Sequence, residues 1–258
     1  MKVVILAGGL GTRISEESGT RPKPMVEIGG KPILWHIMKT YSHYGFNEFV
    51  ILLGYKGYVI KEFFFNYYLH HNSLTIDLSS NSIKYHGSKS EPWKVSLIDT
   101  GLNTMTGGRV AKISSLIGNE KFLLTYGDGL SDVNISDMIK FHDNHNGVMT
   151  MLSVQPEGRF GSINISKDKK VNSFVEKPKG DGGWINAGYF ICEPEIFKYL
   201  PDDETLVLEK EPIEKLAKDS KLFSYQYDGF WKPMDSLKDK NDLNKIWQDS
   251  AAPWKVWL

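Results

Sequence analysis

A glycine-rich turn, one lysine and one carboxylate are spaced in ways that suit phosphate chemistry. Gly8-Gly9-Leu10-Gly11-Thr12-Arg13 follows the apolar run Val3–Ala7. Glycines let backbone N–H groups approach phosphate oxygens, and an arginine adds a two-pronged donor. The same spacing also suits a tight structural turn. Lys23 stands ten residues past Arg13, between Pro22 and Pro24. Proline on both sides predicts an extended backbone that fixes the direction of the ammonium; the plainer alternative is a solvated loop lysine. Gly127-Asp128-Gly129 closes a second apolar run, Phe122–Tyr126, and leaves the backbone free on either side of one carboxylate. A simple turn aspartate is again the alternative. Hard cations that bridge phosphates take one or two protein carboxylates. Asp235, in Trp231-Lys232-Pro233-Met234-Asp235, is the candidate for the second. Spacing alone reads Asp235 first as the N-cap of the last helix.

Two further segments are unusual for loops. Glu176-Lys177-Pro178 sets a charge pair against a proline and reads on its own as a solvated turn. Asn186, in Trp184-Ile185-Asn186-Ala187-Gly188, places a lone amide in an apolar run, where it needs partners from a sugar or from the backbone. Several other chemistries have no footing. A dinucleotide fingerprint starting at Gly9 and Gly11 would need glycine where Ile14 stands, and Gly-Lys-Ser/Thr is missing from the loop. There is no Gly-x-Ser-x-Gly and no His-Glu-x-x-His, and His70 and His71 are adjacent, so they cannot share a helix face. Cys192, the only cysteine, sits in an apolar run and reads as core in a reducing compartment.

The elements that must position these residues alternate between strand and helix patterns. Buried-strand runs fall at 2–7, 49–53, 95–98, 122–126, 148–154, 185–191 and 222–227. Helical spacing recurs from Pro32 to Tyr41 with Gly45 as a stop, and again at 109–116, 135–141, 209–218 and 236–248. An aromatic-rich helix over 55–68 places Ile60, Phe63, Phe64 and Tyr67 on one face. Alternation at 74–86 predicts a hairpin, and 163–165 with 171–175 predicts paired strands. The sum is an α/β fold with a Rossmann-like, mixed and mostly parallel sheet flanked by helices and carrying an inserted hairpin. No linker composition interrupts it, so residues 1–258 read as a single domain.

The 258 residues are 41% hydrophobic, which excludes a disordered chain, and 31 basic residues balance 31 acidic ones. That balance argues against a nucleic-acid partner. The N-terminal apolar run, Val3 to Ala7, is too short for a signal peptide or a membrane span, and no other run approaches the length of a span. The expectation is a soluble, cytoplasmic protein without membrane contact.

GGLGTR, PKPM, GGKPI, YGDG, EKP and INAG, in this order, resemble the sugar-1-phosphate nucleotidyltransferases. The longer stretches KPMVEIGGKPILWHIM, EPWKVSLIDTG, TGLNTMTGGR, GRFG, EKPKGDG, GFWKPMD and APWKVWL resemble members that join CTP to α-D-glucose 1-phosphate. The resemblance implies the family's GT-A-like fold. It implies formation of CDP-glucose and pyrophosphate with Mg²⁺, feeding surface-polysaccharide deoxysugars such as those of the lipopolysaccharide O-antigen. UTP or dTTP in place of CTP, or a non-catalytic nucleotide-binding homologue, are the alternatives.

The resemblance also assigns roles. Leu6, Ala7, Gly8, Gly9, Leu10, Gly11, Thr12 and Arg13 would wrap the nucleotide, with Gly127 beside them, and Arg13 and Lys23 would neutralise its phosphates. Thr104, Gly108 and Arg109 would contact base and sugar of CTP. Asp128 and Asp235 would hold the metal, apart from the cations Arg13, Lys23, Arg109 and Lys177. Glu176 and Asn186 would bind glucose hydroxyls and Lys177 the sugar phosphate. Ala187 stands where the family more often has glycine. The N-terminal part would bind nucleotide, and the C-terminal part sugar phosphate and further copies of the chain, in a homo-oligomer that the resemblance makes a hexamer.

Overall fold

Val3–Ala7, apolar on both faces, forms the first strand (β1) in the interior of a seven-stranded sheet. The computed structural model describes residues 1–87, 90–156, 158, 161–176, 179 and 183–257, apart from the side chains of Arg13, Ser15 and Glu16. The other strands of the sheet are β2 (Glu48–Leu53), β3 (Lys94–Asp99), β4 (Phe122–Tyr126), β5 (Met149–Val154), β6 (Ile185–Cys192) and β7 (Leu222–Tyr227). Their spatial order is β7-β5-β6-β4-β1-β2-β3. Strand β6 runs antiparallel to both β4 and β5, and every other neighbouring pair is parallel. The sheet is therefore mixed and mostly parallel. The reversal has a positional consequence, because it sets the amino end of β6 at the edge where β1, β2, β3 and β4 finish.

Side chains alternate across β1 and build two apolar layers. Val3, Ile5 and Ala7 face helix α1 (Ile33–His43), whose Ile33, Leu34, Ile37 and Met38 repeat at helical spacing and are buried. Gly45 takes φ +87° just past its end, as a helix stop requires. Val4, Val50 and Leu52 face the other way, onto Val110, Ile117 and Leu216. Cys192 belongs to this second layer and is fully buried, and burial pushes its thiol pKa up. The aromatic helix spans Gly57–Phe65 (α2), with Ile60 buried and Phe63 and Phe64 half-buried; Tyr67 begins a separate turn after Asn66.

Both hairpins form, Ser73–Asp77 with Ser82–His86 and Ser162–Ile165 with Val171–Val175. The helical pattern expected at 109–116 divides into α3 (Thr106–Ala111) and a short turn at Ser114–Ile117. It starts early, through two poor helix formers, because Gly107 and Gly108 both donate to the Leu206 carbonyl at 2.9 and 3.1 Å. A Cβ on Gly108 would stand 2.6 Å from the Asp203 carbonyl oxygen, so only glycine permits this approach. Helices α4 (Ile135–Asp143), α5 (Glu211–Lys218) and α6 (Leu237–Gln248) complete the flanks. No helix among the described residues is long and apolar enough to cross a membrane.

Trp254 fastens the segment after α6 to α1. It is fully buried, stacks on Phe230 and Trp247, and its indole N–H donates to His36 Nδ1 at 3.3 Å. His36 Nε2 bonds the Ile28 carbonyl at 2.8 Å, and burial holds the ring pKa down at about 4. The neutral form is the one that fits, with Nε2–H donating to Ile28 and Nδ1 accepting from Trp254.

Candidate active site

The carboxyl ends of β1, β2 and β3 meet at one guanidinium. Arg109, on α3 and 4% exposed, reaches the Leu53 carbonyl at 2.9 Å, Thr100 Oγ1 at 2.6 Å and the Gly101 carbonyl at 2.8 Å through Nη1. Through Nη2 it reaches the Gly8 and Leu102 carbonyls at 3.0 and 3.2 Å. Gly8 and Gly54 flank it so closely that a Cβ on either would lie 2.4 or 2.6 Å from guanidinium atoms. Burial lowers the Arg109 pKa, and the Asp99 carboxylate partly offsets this. Arg109 lies beneath the glycine-rich loop and braces it, with its hydrogen bonds directed to protein oxygens. Thr104 is placed similarly: it is 4% exposed and its hydroxyl donates to the Thr100 carbonyl at 2.6 Å. Leu10, 51% exposed, sits on the open side of the loop.

Lys23 occupies a turn rather than an extended segment. Pro22 is extended, but Lys23–Met25 forms one 3-10 turn with Pro24 inside it. Proline is tolerated in a first helical turn because the missing N–H has no intrahelical acceptor there. Pro24 packs against Gly127, whose N–H donates to the Leu6 carbonyl at 3.0 Å, so the Lys23 turn, the end of β1 and the Asp128 turn share one contact.

The Lys23 ammonium donates to Asp128 Oδ2 at 2.6 Å and to Asp235 Oδ1 at 2.7 Å. Burial opposes its charge, but Asp128 and then Asp235 outweigh that opposition and raise its pKa. The expectation that the carboxylates stand apart from the cations is thus corrected: both carboxylates close on one cation.

A two-stranded ribbon makes this meeting possible. Gly129–Ser131 pairs antiparallel with Trp231–Pro233, and Met234 N–H donates to the Asp128 carbonyl at 2.8 Å. Asp128 and the residue after Met234, Asp235, are therefore delivered to the same place. Asp235 is not the helix cap that spacing favoured. Ser236 caps α6, its hydroxyl accepting from Asp239 N–H while Asp239 accepts from Ser236 N–H. A reciprocal cap at 236 and 239 leaves the Asp235 side chain turned to Lys23.

Asn186 is held at the amino end of β6. Its Oδ1 accepts from Gly188 N–H at 2.8 Å and its Nδ2 donates to Tyr126 Oη at 3.1 Å. Gly188 takes φ +79° with the Tyr126 ring against it, where a Cβ would stand 2.3 Å from the ring. The position that demands glycine is thus 188, and Ala187 is compatible with the local fold; its carbonyl accepts from the Trp231 indole at 2.8 Å. Tyr126 in turn donates to Glu209 Oε1 at 2.5 Å, and Thr106 Oγ1 donates to Glu209 Oε2 at 2.6 Å. Tyr126 stood in the YGDG motif without a role, and nothing in the local sequence singled out Glu209. Glu176 is exposed after Val175. Lys177 and the Arg13 side chain lie outside the described residues.

A glycine turn at the carboxyl edge of a parallel sheet, with two aspartates converging on one cation, is the arrangement of a phosphate-handling α/β enzyme. The chain belongs to the nucleotidyl transferase family, whose sequence profile it matches over residues 2–249. Along its full length it is 50% identical to the glucose-1-phosphate cytidylyltransferase of Salmonella typhimurium, and the alignment covers all of both chains. Among solved structures it is similar to HddC from Yersinia pseudotuberculosis, at 26% identity and a TM-score of 0.68 over 95% of this chain and 99% of that one. A UDP-glucose pyrophosphorylase bound to UDP-glucose shares the fold, with a TM-score of 0.69 at 18% identity over 96% and 98% of the two chains.

Proposed function

We propose that the chain transfers a cytidylyl group from CTP to α-D-glucose 1-phosphate, giving CDP-glucose and pyrophosphate. The observation that carries the choice of substrates is end-to-end identity of 50% with a glucose-1-phosphate cytidylyltransferase. A phosphomonoester has a second pKa near ~6, so at neutral pH the attacking phosphate is already ionised and needs no general base. The task left to the protein is to gather two polyanions and favour departure of pyrophosphate. The loop of Leu6 to Arg13 wraps the nucleotide, and Lys23 and Arg13 balance its phosphates. Glu176, Lys177 and Asn186 receive the sugar phosphate. Displacement at the α-phosphorus is direct and in line, without a covalent enzyme intermediate.

Asp128 and Asp235 fit Mg²⁺: both offer hard carboxylate oxygens, and both already converge on one positive charge. When bound there, Mg²⁺ supplies charge neutralisation and orientation at the nucleotide phosphates. The enzyme works in the cytoplasm as a homo-oligomer, and its product feeds deoxysugar synthesis for surface polysaccharide.

The test is pyrophosphate release from CTP, UTP and dTTP, each with glucose 1-phosphate. CTP is expected to be the best donor. Higher turnover with UTP or dTTP overturns the cytidylyl assignment, and ping-pong kinetics or a trapped nucleotidyl-protein adduct overturns direct displacement.

A further inference from the structure

We infer that Glu209 is a positioning residue for the sugar-phosphate pocket, acting on Asn186 through Tyr126. This rests on the function proposed above. Hydrogen-bond polarity carries the inference. An ionised carboxylate only accepts, so Glu209 commits the Tyr126 proton to Oε1 and the Thr106 proton to Oε2. With its proton committed, the Tyr126 oxygen has lone pairs left to accept, and Asn186 Nδ2 donates to it at 3.1 Å. At the other end of the amide, Gly188 N–H donates to Oδ1. The amide is thereby fixed in one of its two orientations, with the second Nδ2–H as the donor it turns toward a sugar or phosphate oxygen. Without Glu209 the Tyr126 hydroxyl is free to turn its proton toward Asn186 Nδ2, which then loses its acceptor, and Gly188 N–H alone holds the amide.

The backbone supports this relay. Tyr126 cannot swing toward β6, because its ring already fills the space that a Cβ on Gly188 would need, and the Phe190 ring meets it edge-on at 5.7 Å. Thr106 opens α3, the helix that carries Arg109, and its oxygen also accepts from Leu208 N–H at 2.9 Å. Glu209 therefore ties the sugar side of the edge to the helix under the nucleotide loop. Its own side chain is exposed, so the role is not one of filling the core.

Steady-state kinetics on the full-length enzyme, with CTP and glucose 1-phosphate varied in turn, test the relay. Glu209→Ala is expected to raise KM for glucose 1-phosphate about tenfold, the equivalent of one ordinary hydrogen bond, with a smaller change in KM for CTP. Glu209→Gln retains an acceptor oxygen and is expected to restore most of the loss. Tyr126→Phe should raise the same KM, and Tyr126→Phe with Glu209→Ala should be no worse than the more impaired single variant, as members of one chain are. An unchanged KM for the sugar phosphate in Glu209→Ala overturns the inference. So does an equal rise in both KM values together with a lower melting temperature, which would mark general loosening. If the wild-type enzyme turns over other substrates but not these two, the proposed function falls and the inference falls with it. If the wild type uses CTP and glucose 1-phosphate and the variants match it, the inference falls alone.

Discussion

Lys23 holds Asp128 at 2.6 Å across 105 residues of sequence, and the same ammonium reaches Asp235. Removing it takes away the ammonium that both carboxylates share and one of the cations proposed for the phosphates. Lys23→Ala is expected to lower kcat by at least about a hundredfold, in the range found when a single charge-stabilising donor is removed. Circular dichroism should show an unchanged fold. Near-normal turnover would remove Lys23 from the reaction.

The two carboxylates provide a second expectation. Chelation with EDTA should abolish turnover and added Mg²⁺ should restore it. Asp128→Asn and Asp235→Asn should each raise the Mg²⁺ concentration needed for half-maximal rate, because each removes one anionic donor. A variant enzyme whose Mg²⁺ dependence matches wild type would exclude that residue from the metal.

The brace beneath the loop predicts a contrast between neighbouring glycines. Gly54→Ala places a Cβ 2.6 Å from both terminal guanidinium nitrogens of Arg109, whereas a Cβ on Gly9 meets nothing within 4 Å among the described residues. Gly54→Ala and Arg109→Ala should each destabilise the fold by about 2 kcal/mol or more, since buried carbonyls lose their donor. Gly9→Ala should leave stability within about 0.5 kcal/mol of wild type and act only on KM for CTP. Urea unfolding of the three variants is the measurement.

His36 predicts an acid-sensitive fold. Its folded pKa is about 4, against 6.5 for the free side chain, so the unfolded chain binds a proton first as pH falls. The neutral ring's contribution is complete above pH about 6.5 and is lost progressively down to pH about 4. The loss is on the order of 3 kcal/mol, from a depression of 2–3 pH units. Protonation would also put a hydrogen on Nδ1, facing the Trp254 indole N–H. Denaturant midpoints measured between pH 7.5 and 4.5 should fall less steeply in His36→Gln than in wild type. Parallel slopes would assign the acid limb to other groups.

How far the fold could be read from sequence depended on the range of the forces involved. Strands β4 and β7 appeared at their full bounds because their apolar runs are local and bounded by turn residues. Asp128 stood out for the same reason, between two glycines. For Asp235, spacing alone favours a cap, since a residue just before a helix looks like one, while the resemblance pairs it with Asp128; the 129–131 and 231–233 pairing shows why Ser236 caps the helix instead. The backbone at Lys23 was expected to be extended because proline excludes long helices, yet a single 3-10 turn satisfies both prolines. For Arg109 the resemblance implies contact with base and sugar of CTP; its burial against three strand ends is set by tertiary packing, which no local pattern shows. Glu209 had no local pattern at all, and its place follows from the chain returning past α3.

The separations at Lys23 also bear on how activity returns after denaturation. The ammonium depends on partners 105 and 212 residues away, in a fold whose sheet strands do not pair in chain order. Contacts of that span carry the largest loop-closure cost and form late. Recovery of turnover should therefore lag the return of helical signal in a refolding experiment, making catalysis a stricter reporter of the completed fold than secondary structure.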